Sequence, residues 1–562
     1  MNQLAAQHSR PKTVPRHAGR SWHVIPLAIA ALILVPVVAL AFQASNGSAG
    51  LWGHLIQYVL PQAMGDTLMV LAGVGVLVTV LGTGTAWLVT AYDFPGRKLL
   101  QWALLLPLAV PTYIIAYAYL DLLHPLGPVQ GAIRAVFGLG SPRDFRLPDI
   151  RSMAGCILLL GFVLYPYVYM TARAMFLTQA ANVLDVSRSL GTGRRALFWR
   201  VVVPMARPAI AVGVSLALME ALNDIGASQF LGVRTLTVSI YSTWLTRYDL
   251  AGASQIALVM LIFIIALVNL ERHGRRQQRF TASVQRARLM VPRAVPGLAG
   301  WGLLALGLVP VLLGFVFPAL HLAVQAYQRV ALRGLSPRIL AEAGNTVLLA
   351  AIACVVVLGC GLAIAYSARF SGRRTVALAS RISVIGYALP GTVVAIGILI
   401  PVAGLDRFLG GMAEAMFGYS GGLLILGSGA ALIYAYTTRF LAVSTGGIEA
   451  GLTRIAPSLD HAARSLGQSQ GGAFRRIHLP LSRPALVAAA LLVFVDCVKE
   501  LPATLLLRPL NFETLSTHLY GEAVRGTYEE ASVVALIIVA IGILPVIFLA
   551  DRRADHARAQ KA

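Results

Sequence analysis

Charge is scarce in this sequence: Asp, Glu, Lys and Arg make up 12% of 562 residues, where a soluble chain carries roughly a quarter. That deficit excludes an ordinary water-soluble globule. Lysine is nearly missing, with Lys12, Lys98, Lys499 and Lys561 the whole set. None of them stands in G-x-x-x-x-G-K-[ST], so there is no phosphate-cradling loop and any ATP hydrolysis must belong to another chain. Cysteine is confined to Cys156, Cys354, Cys360 and Cys497, all in or at the ends of apolar runs and never as C-x-x-C. A disulfide framework and a thiolate metal site are thereby disfavoured. The histidines are scattered, no H-E-x-x-H occurs, and the two G-x-S-x-G matches (418–422 and 467–471) follow no strand. A membrane enzyme would need clustered catalytic groups, so that class is set aside.

Apolar sequence is abundant. Hydrophobic residues make up 57% and the mean hydropathy is +0.74. Spans of about 20 residues are needed to cross about 30 Å of hydrocarbon. Twelve stretches meet that length, near 24–42, 67–90, 100–122, 153–175, 208–224, 253–270, 297–326, 346–368, 382–404, 421–444, 484–502 and 531–550. The formal charge of +23 follows from topology: with the N-terminus inside, 31 of the 46 Lys and Arg fall in cytoplasmic segments and 12 in outer ones. This bias predicts both termini in the cytoplasm of a plasma membrane. No basic groove interleaved with aromatics argues for nucleic acid. A cleaved signal peptide over 1–41, ending Ala39-Leu40-Ala41, is the competing reading of the first run, which is long for that purpose.

The chain repeats itself. Arg188–Ala209 and Arg464–Ala485, at an offset of 276, share ten of 22 positions, where chance gives roughly one or two. Gly65-Asp66-Thr67 matches Gly344-Asn345-Thr346, and Pro111 matches Pro390, at an offset of 279. Six spans in each half make the repeats parallel, related by a pseudo-two-fold axis along the membrane normal. The expected organisation is an N-terminal cytoplasmic tail (1–23), a first half (24–270), an arginine-rich cytoplasmic linker (271–295), a second half (296–550) and a short cytoplasmic tail (551–562). The linker's arginines read as a solvated run more readily than as a lipid site.

The strongest repeat lies between spans four and five of each half, at 177–207 and 446–483. Asn182 and Ser458 are expected as N-caps of a short helix. Gly191 and Gly467 would end it in the left-handed conformation. Pro204 and Pro480 follow thirteen residues later, with Pro208 and Pro484 at the expected first turn of span five. This pattern resembles the EAA loop of binding-protein-dependent ABC importer permeases. The resemblance implies an all-α polytopic fold of the type I ABC importer permease (MetI-like) class and a coupling helix that seats in an ATPase. The residues it carries over are Asp185, Arg188, Ser189, Gly191 and Pro204 in the first copy. In the second they are His461, Ala462, Ala463, Arg464, Ser465, Gly467 and Pro480. His461 departs from the family's acidic first residue, and Asp460 beside it is expected to supply the charge.

Two blocks, Leu104–Leu123 and Phe494–Thr514, resemble fused ferric-iron importer permeases. That resemblance implies two ATPase copies inside, a periplasmic binding protein outside, ATP and Mg on the partner ATPase, and no cofactor on this chain. Fused thiamine permeases share the two-loop layout. A twelve-helix secondary transporter is the more distant alternative, since its signature loop joins spans two and three, where Ala91–Gln101 carries no repeat.

In the fifth spans Glu220 and Asp224 are four apart, as are their equivalents Asp496 and Glu500, so each pair shares a helix face. Counted from Pro208 and Pro484 they fall about 18 and 24 Å up the span. Carboxylates at such depth point to a pathway, and oxygen ligands suit hard ferric iron. Lys499 replaces Asn223 in the repeat. The alternative is that Lys499 neutralises Asp496 or Glu500, while Asp224 caps a helix end. Thr112, Tyr113, Tyr117, Tyr119 and Asp121 add oxygens in span three, although tyrosines near a span's end also anchor at the interface.

Overall fold

A computed structural model describes residues 21–47, 50, 52–189, 194–276, 292–370, 374–418, 422–453 and 455–559. The first half comprises α1 (Ser21–Ser45), α2 (Leu60–Ala91), α3 (Arg97–Ala103), α4 (Thr112–Leu122), α5 (Met153–Ser189), α6 (Val203–Asn223), α7 (Gly226–Phe230), α8 (Leu236–Leu245) and α9 (Leu250–Arg276). The second comprises α10 (Gly297–Val311), α11 (Phe317–Arg333), α12 (Pro337–Phe370), α13 (Arg374–Ala388), α14 (Gly391–Phe417), α15 (Ala430–Thr453), α16 (Pro457–Ser465), α17 (Leu479–Val498), α18 (Pro502–Leu507), α19 (Leu515–Arg525) and α20 (Tyr528–Ala559). Two-residue strands β1 (Tyr92–Asp93) and β2 (Arg293–Ala294) pair in parallel, tying the end of α2 to the start of the second half. Helix occupies most of each of the twelve expected spans, except that the tenth, 421–444, is helical only from Ala430. Among the described residues, nine helices are long and apolar enough to cross a membrane, and α3 with α4 makes a tenth bent by 93°. The helix α15 falls below that apolar threshold because Tyr434, Tyr436, Thr437, Thr438 and Arg439 dilute it.

The repeated prolines explain where the chain departs from straight helices. The third span of each half, expected as one rod, breaks at Val110–Pro111 and at Leu389–Pro390. Pro111 (φ −57°, ψ 143°) and Pro390 (φ −60°, ψ 148°) each cap the following helix from extended backbone, as a residue without an N–H does readily. Span five also differs from expectation. It begins ten or more residues early, at Arg194 and Gln470, and passes through π-turns at Phe198–Val202 and Phe474–His478 before α6 and α17. Widening by one residue absorbs the N–H that Pro204 and Pro480 lack. Pro208 and Pro484 consequently sit inside the helix rather than at its first turn.

The halves are contiguous in sequence but interlocked in space. Helix α1 packs on α12, α13 and α14 of the second half, where Ile33 joins Ile364 and Leu441 and Leu40 joins Val393 and Ile396. Helices α10 and α11 reciprocate: Val311, Leu322 and Ala326 belong to the core built on α2, α4 and α5. The Tyr119 hydroxyl donates to the Leu313 carbonyl (2.6 Å), which the π-turn between α10 and α11 leaves free.

Thr67 and Thr346 show why Gly-Asp-Thr recurs as Gly-Asn-Thr. Thr67 Oγ1 accepts from the Leu236 N–H at 2.9 Å and Thr346 Oγ1 from the Leu515 N–H at 2.8 Å, so each threonine satisfies the first buried donor of α8 or α19. Replacing Thr346 with Val should leave that N–H unpaired and cost about 1–3 kcal/mol. The expected result is a lower unfolding midpoint in detergent; an unchanged midpoint would show that the bond contributes nothing.

Candidate functional site

A cavity of about 100 Å³ lies between the halves. One water needs roughly 10–15 Å³, so the cavity has room for several. Glu220, Asp224, Asp496, Lys499 and Glu500 all line it. The broken third spans bring the N-termini of α4 and α14 to the same space, where Thr112 and Tyr113 join the wall. Those two helix starts are electropositive and favour the nearby acids. Tyr117 and Tyr119 instead bond to the Thr527 and Leu313 carbonyls of the second half. Asp121 is held by His321 (2.8 Å) and Gln325 (2.9 Å). Beyond the acids the chain does not simply emerge: α8 follows, and Leu236 and Ile240 pack with Leu40, Leu55 and Leu60. The acids therefore sit beneath a further short helix of about 15 Å, rather than at an open end of the span.

Two of the four carboxylates serve the backbone. Asp224 accepts from the Ser228 N–H (2.8 Å) and hydroxyl (3.2 Å), and from the Thr112 hydroxyl (2.5 Å). Glu500 accepts from the N–H groups of Ala503 and Thr504 (3.0 Å each), the Thr504 hydroxyl (2.7 Å) and Arg439 Nη1 (2.6 Å). Each acid thus caps the short helix that follows span five. The halves reach this by different means, because Gly391 stands where the first half has Thr112. A Cβ at Gly391 would lie 2.7 Å from Glu500 Oε1. The longer Glu500 fills the space a threonine would take, and Arg439 supplies the partner.

The remaining two acids face the cavity more directly. Asp496 pairs with Lys499 Nζ at 2.8 Å, and Glu220 accepts from the Tyr387 hydroxyl at 3.2 Å across the interface. Asn223 accepts from the Gly391 N–H at 2.8 Å, a second bond between halves. Both cavity cations belong to the second half: Arg439 and Lys499 stand where the first half has Val163 and Asn223. No three Asp, Glu, His or Cys among the described residues are grouped to hold a metal ion, so the four carboxylates share a chamber without forming a common ligand set. Sequence reasoning missed Tyr387 and left Arg439 without a role. The only signal for Arg439 was a charge inside a span.

In the second repeated loop Gly467 has φ +72°. Its N–H bonds to the Arg464 carbonyl and that of Gln468 to the Ala463 carbonyl, both at 2.9 Å, closing α16 with a Schellman turn. His461, Ala462, Arg464, Ser465 and Pro480 are exposed and Ala463 is buried. Leu466 is 79% exposed. Two expectations fail here. Ser458 is not the N-cap; Pro457 opens the helix one residue earlier behind Ala456, since a missing N–H costs nothing there. Asp460 does not offer its charge outward but turns in to Arg369 and His478. In the first loop Asn182 lies within the unbroken α5 rather than at a cap, and Pro204 is half-buried. Gly191 and the side chains of Asp185, Arg188 and Ser189 lie outside the described residues.

A family model described as "Binding-protein-dependent transport system inner membrane component" matches twice, over residues 78–278 and 356–557. An Fe(3+)-transport system permease protein of Haemophilus influenzae is 23% identical over 87% of this chain and 90% of its own length. A probable ABC transporter permease protein of Sinorhizobium fredii is 24% identical over 94% and 95%. A probable sulfate transport system permease protein of Chlorokybus atmophyticus is 27% identical over 46% of this chain and 91% of its own.

The Arg439–Glu500 pair is almost wholly buried, with side chains 9% and 1% exposed. Arg439→Met should strand the carboxylate and cost about 3–5 kcal/mol, whereas Arg439→Met with Glu500→Gln should recover much of it. Unfolding midpoints in detergent read both; a double variant no better than the single one would mean the pair is not what holds α15 to α18.

Proposed function

We propose that this chain, which belongs to the binding-protein-dependent transport system inner membrane component family and is the permease of an ABC importer, carries a cation, ferric iron, from a periplasmic binding protein to the cytoplasm. The supporting observation is the charge of the chamber: four carboxylates against two cations, in a cavity on the pseudo-two-fold axis. A sulfate-like oxyanion entering that lining would meet net repulsion, and a hard cation would meet oxygen donors. Asp224 and Glu500 hold the chamber's shape as caps, so the acids left to greet cargo are Glu220 and Asp496. Lys499, already paired with Asp496, neutralises that acid while no cargo is present. The iron permease of Haemophilus influenzae, alike over nearly the whole chain, supports the same reading.

Energy enters from below. Two copies of an ATPase, carrying ATP and Mg, dock on the two cytoplasmic loops, and both termini lie on that side. The exposed His461, Ala462, Arg464, Ser465 and Leu466 form the contact face in the second loop, and Gly467 fixes its angle. Asp185, Arg188, Ser189 and Gly191 play the matching part in the first. Pro204 and Pro480, next to the π-turns, let each fifth span tilt on its loop without breaking the helix. Rocking of the halves then opens the chamber to one side at a time.

Purified with its ATPase and binding protein and placed in proteoliposomes, the chain should import ferric iron in an ATP-dependent manner, with thiamine and sulfate as comparison cargoes. Uptake of sulfate or thiamine instead would overturn the cargo. Glu220→Gln with Asp496→Asn should slow iron uptake about tenfold, equivalent to about 1.4 kcal/mol of lost interaction, while the ATPase still co-purifies. Gly467→Pro should abolish uptake with membrane insertion intact, because proline holds φ near −65° where the turn needs +72°; wild-type uptake by that variant would remove the coupling role.

A further inference from the structure

Asp460 sits on the buried side of the second coupling helix and both of its oxygens are engaged. Oδ2 accepts from Arg369 Nη2 at 2.8 Å and Oδ1 meets His478 Nε2 at 2.5 Å. Arg369 also donates to the carbonyls of Leu452, in the last turn of α15, and Ile455, just beyond it. The His478 side chain is fully buried and packs edge-on against Tyr366 of α12 at 5.7 Å between ring centres. The Tyr366 hydroxyl in turn donates to the Gln470 carbonyl at 2.8 Å. One carboxylate therefore joins the end of α12, the end of α15, the coupling helix α16 and the π-turn that opens into α17.

The matching positions of the first half do not repeat these residues. The repeat offsets place Thr90 opposite Arg369, Leu184 opposite Asp460 and Val202 opposite His478. The Thr90 hydroxyl is already committed to the Ala86 carbonyl at 2.6 Å, and leucine and valine carry no charge to share. Trp87 and Phe198 occupy the places of Tyr366 and Phe474 and pack apolarly at 5.5 Å between ring centres. The Arg369–Asp460–His478 set is thus not repeated at the matching positions of the first half. Charge-assisted bonds among groups this shielded are shorter and about twice as strong as neutral ones. They also fix direction, which apolar packing does not.

We propose that the two coupling loops are mechanically unequal, with Asp460 a positioning residue that locks the second coupling helix to three membrane spans so that its movement is passed on to them as a unit. The proposal rests on the ABC importer reading given above. A partner pressing on the exposed Leu466 face of α16 would move α12, α15 and α17 together in the second half. The residues at the matching places in the first half, Thr90, Leu184 and Val202, cannot form this ionic lock.

The test uses the full chain with its ATPase and binding protein in proteoliposomes, and reads ferric iron imported per ATP hydrolysed. Asp460→Asn should lower that ratio about tenfold, within the usual range for coupling between two sites, while the ATPase still co-purifies. Asp460→Glu should restore most of it. Leu184→Asn, the matching change in the first loop, should keep the wild-type ratio. A wild-type ratio in Asp460→Asn, an equal fall in Leu184→Asn, or no recovery in Asp460→Glu would each overturn the proposal. If Asp460→Asn does not assemble, His478→Asn breaks one arm only, and its wild-type ratio would be equally fatal. If the unaltered chain imports nothing with its ATPase, the failure lies with the importer reading itself.

Discussion

A carboxylate taken out of water must find partners or it costs several kcal/mol, and the centre of this protein is arranged around that constraint. Four acids lie at the ends of the two fifth spans and line one cavity. Asp224 and Glu500 are retained because each caps the short helix that follows, converting an expensive charge into a junction between helices. Given that junction, the chain can end span five, lay down α7 or α18, and continue through α8 or α19. The chamber between the halves is the space this detour leaves, and its remaining acids, Glu220 and Asp496, face it because the caps have already claimed the others.

The same constraint explains why a duplicated chain has drifted apart at its centre while keeping its frame. Thr112 and Asp224 in one half are matched by Gly391, Glu500 and Arg439 in the other: a shorter acid with a hydroxyl, against a longer acid with a guanidinium and no side chain in the way. Both solutions satisfy the cap. Only the second introduces a cation, and with Lys499 it places all the positive charge of the chamber on one side of the pseudo-two-fold axis. The repeated loops diverge in the same sense, with Arg369, Asp460 and His478 set against Thr90, Leu184 and Val202. The crossing of α1 onto the second half and of α10 and α11 onto the first interlocks the two halves.

Much of this was legible along the chain, for reasons that are local. Twelve apolar runs, the repeat at offsets of 276 and 279 and the left-handed turn at Gly467 follow from hydropathy, self-similarity and the conformational freedom of glycine. The matched Pro111 and Pro390 marked a shared feature, and proline chemistry explains why it is a break. The errors were local as well. Ser458 lost the N-cap to Pro457, and Pro208 and Pro484 proved internal because a π-turn upstream accommodates Pro204 and Pro480, which no helical periodicity reveals.

The sequence by itself determined the membrane class, the duplicated architecture, the four-residue spacing of the paired acids and the family to which they belong, because each is encoded along the chain; the single helix face expected for each pair is not formed, since Asp224 and Glu500 lie just beyond the ends of α6 and α17. Tertiary structure alone decided which acid is a cap and which faces the chamber, that Arg439 rather than Lys499 answers Glu500, and that Tyr387 reaches Glu220. It alone turned Asp460 inward. A charge chooses its partner by distance in space, and the partners here come from helices that are remote in sequence and meet only when the two halves interlock.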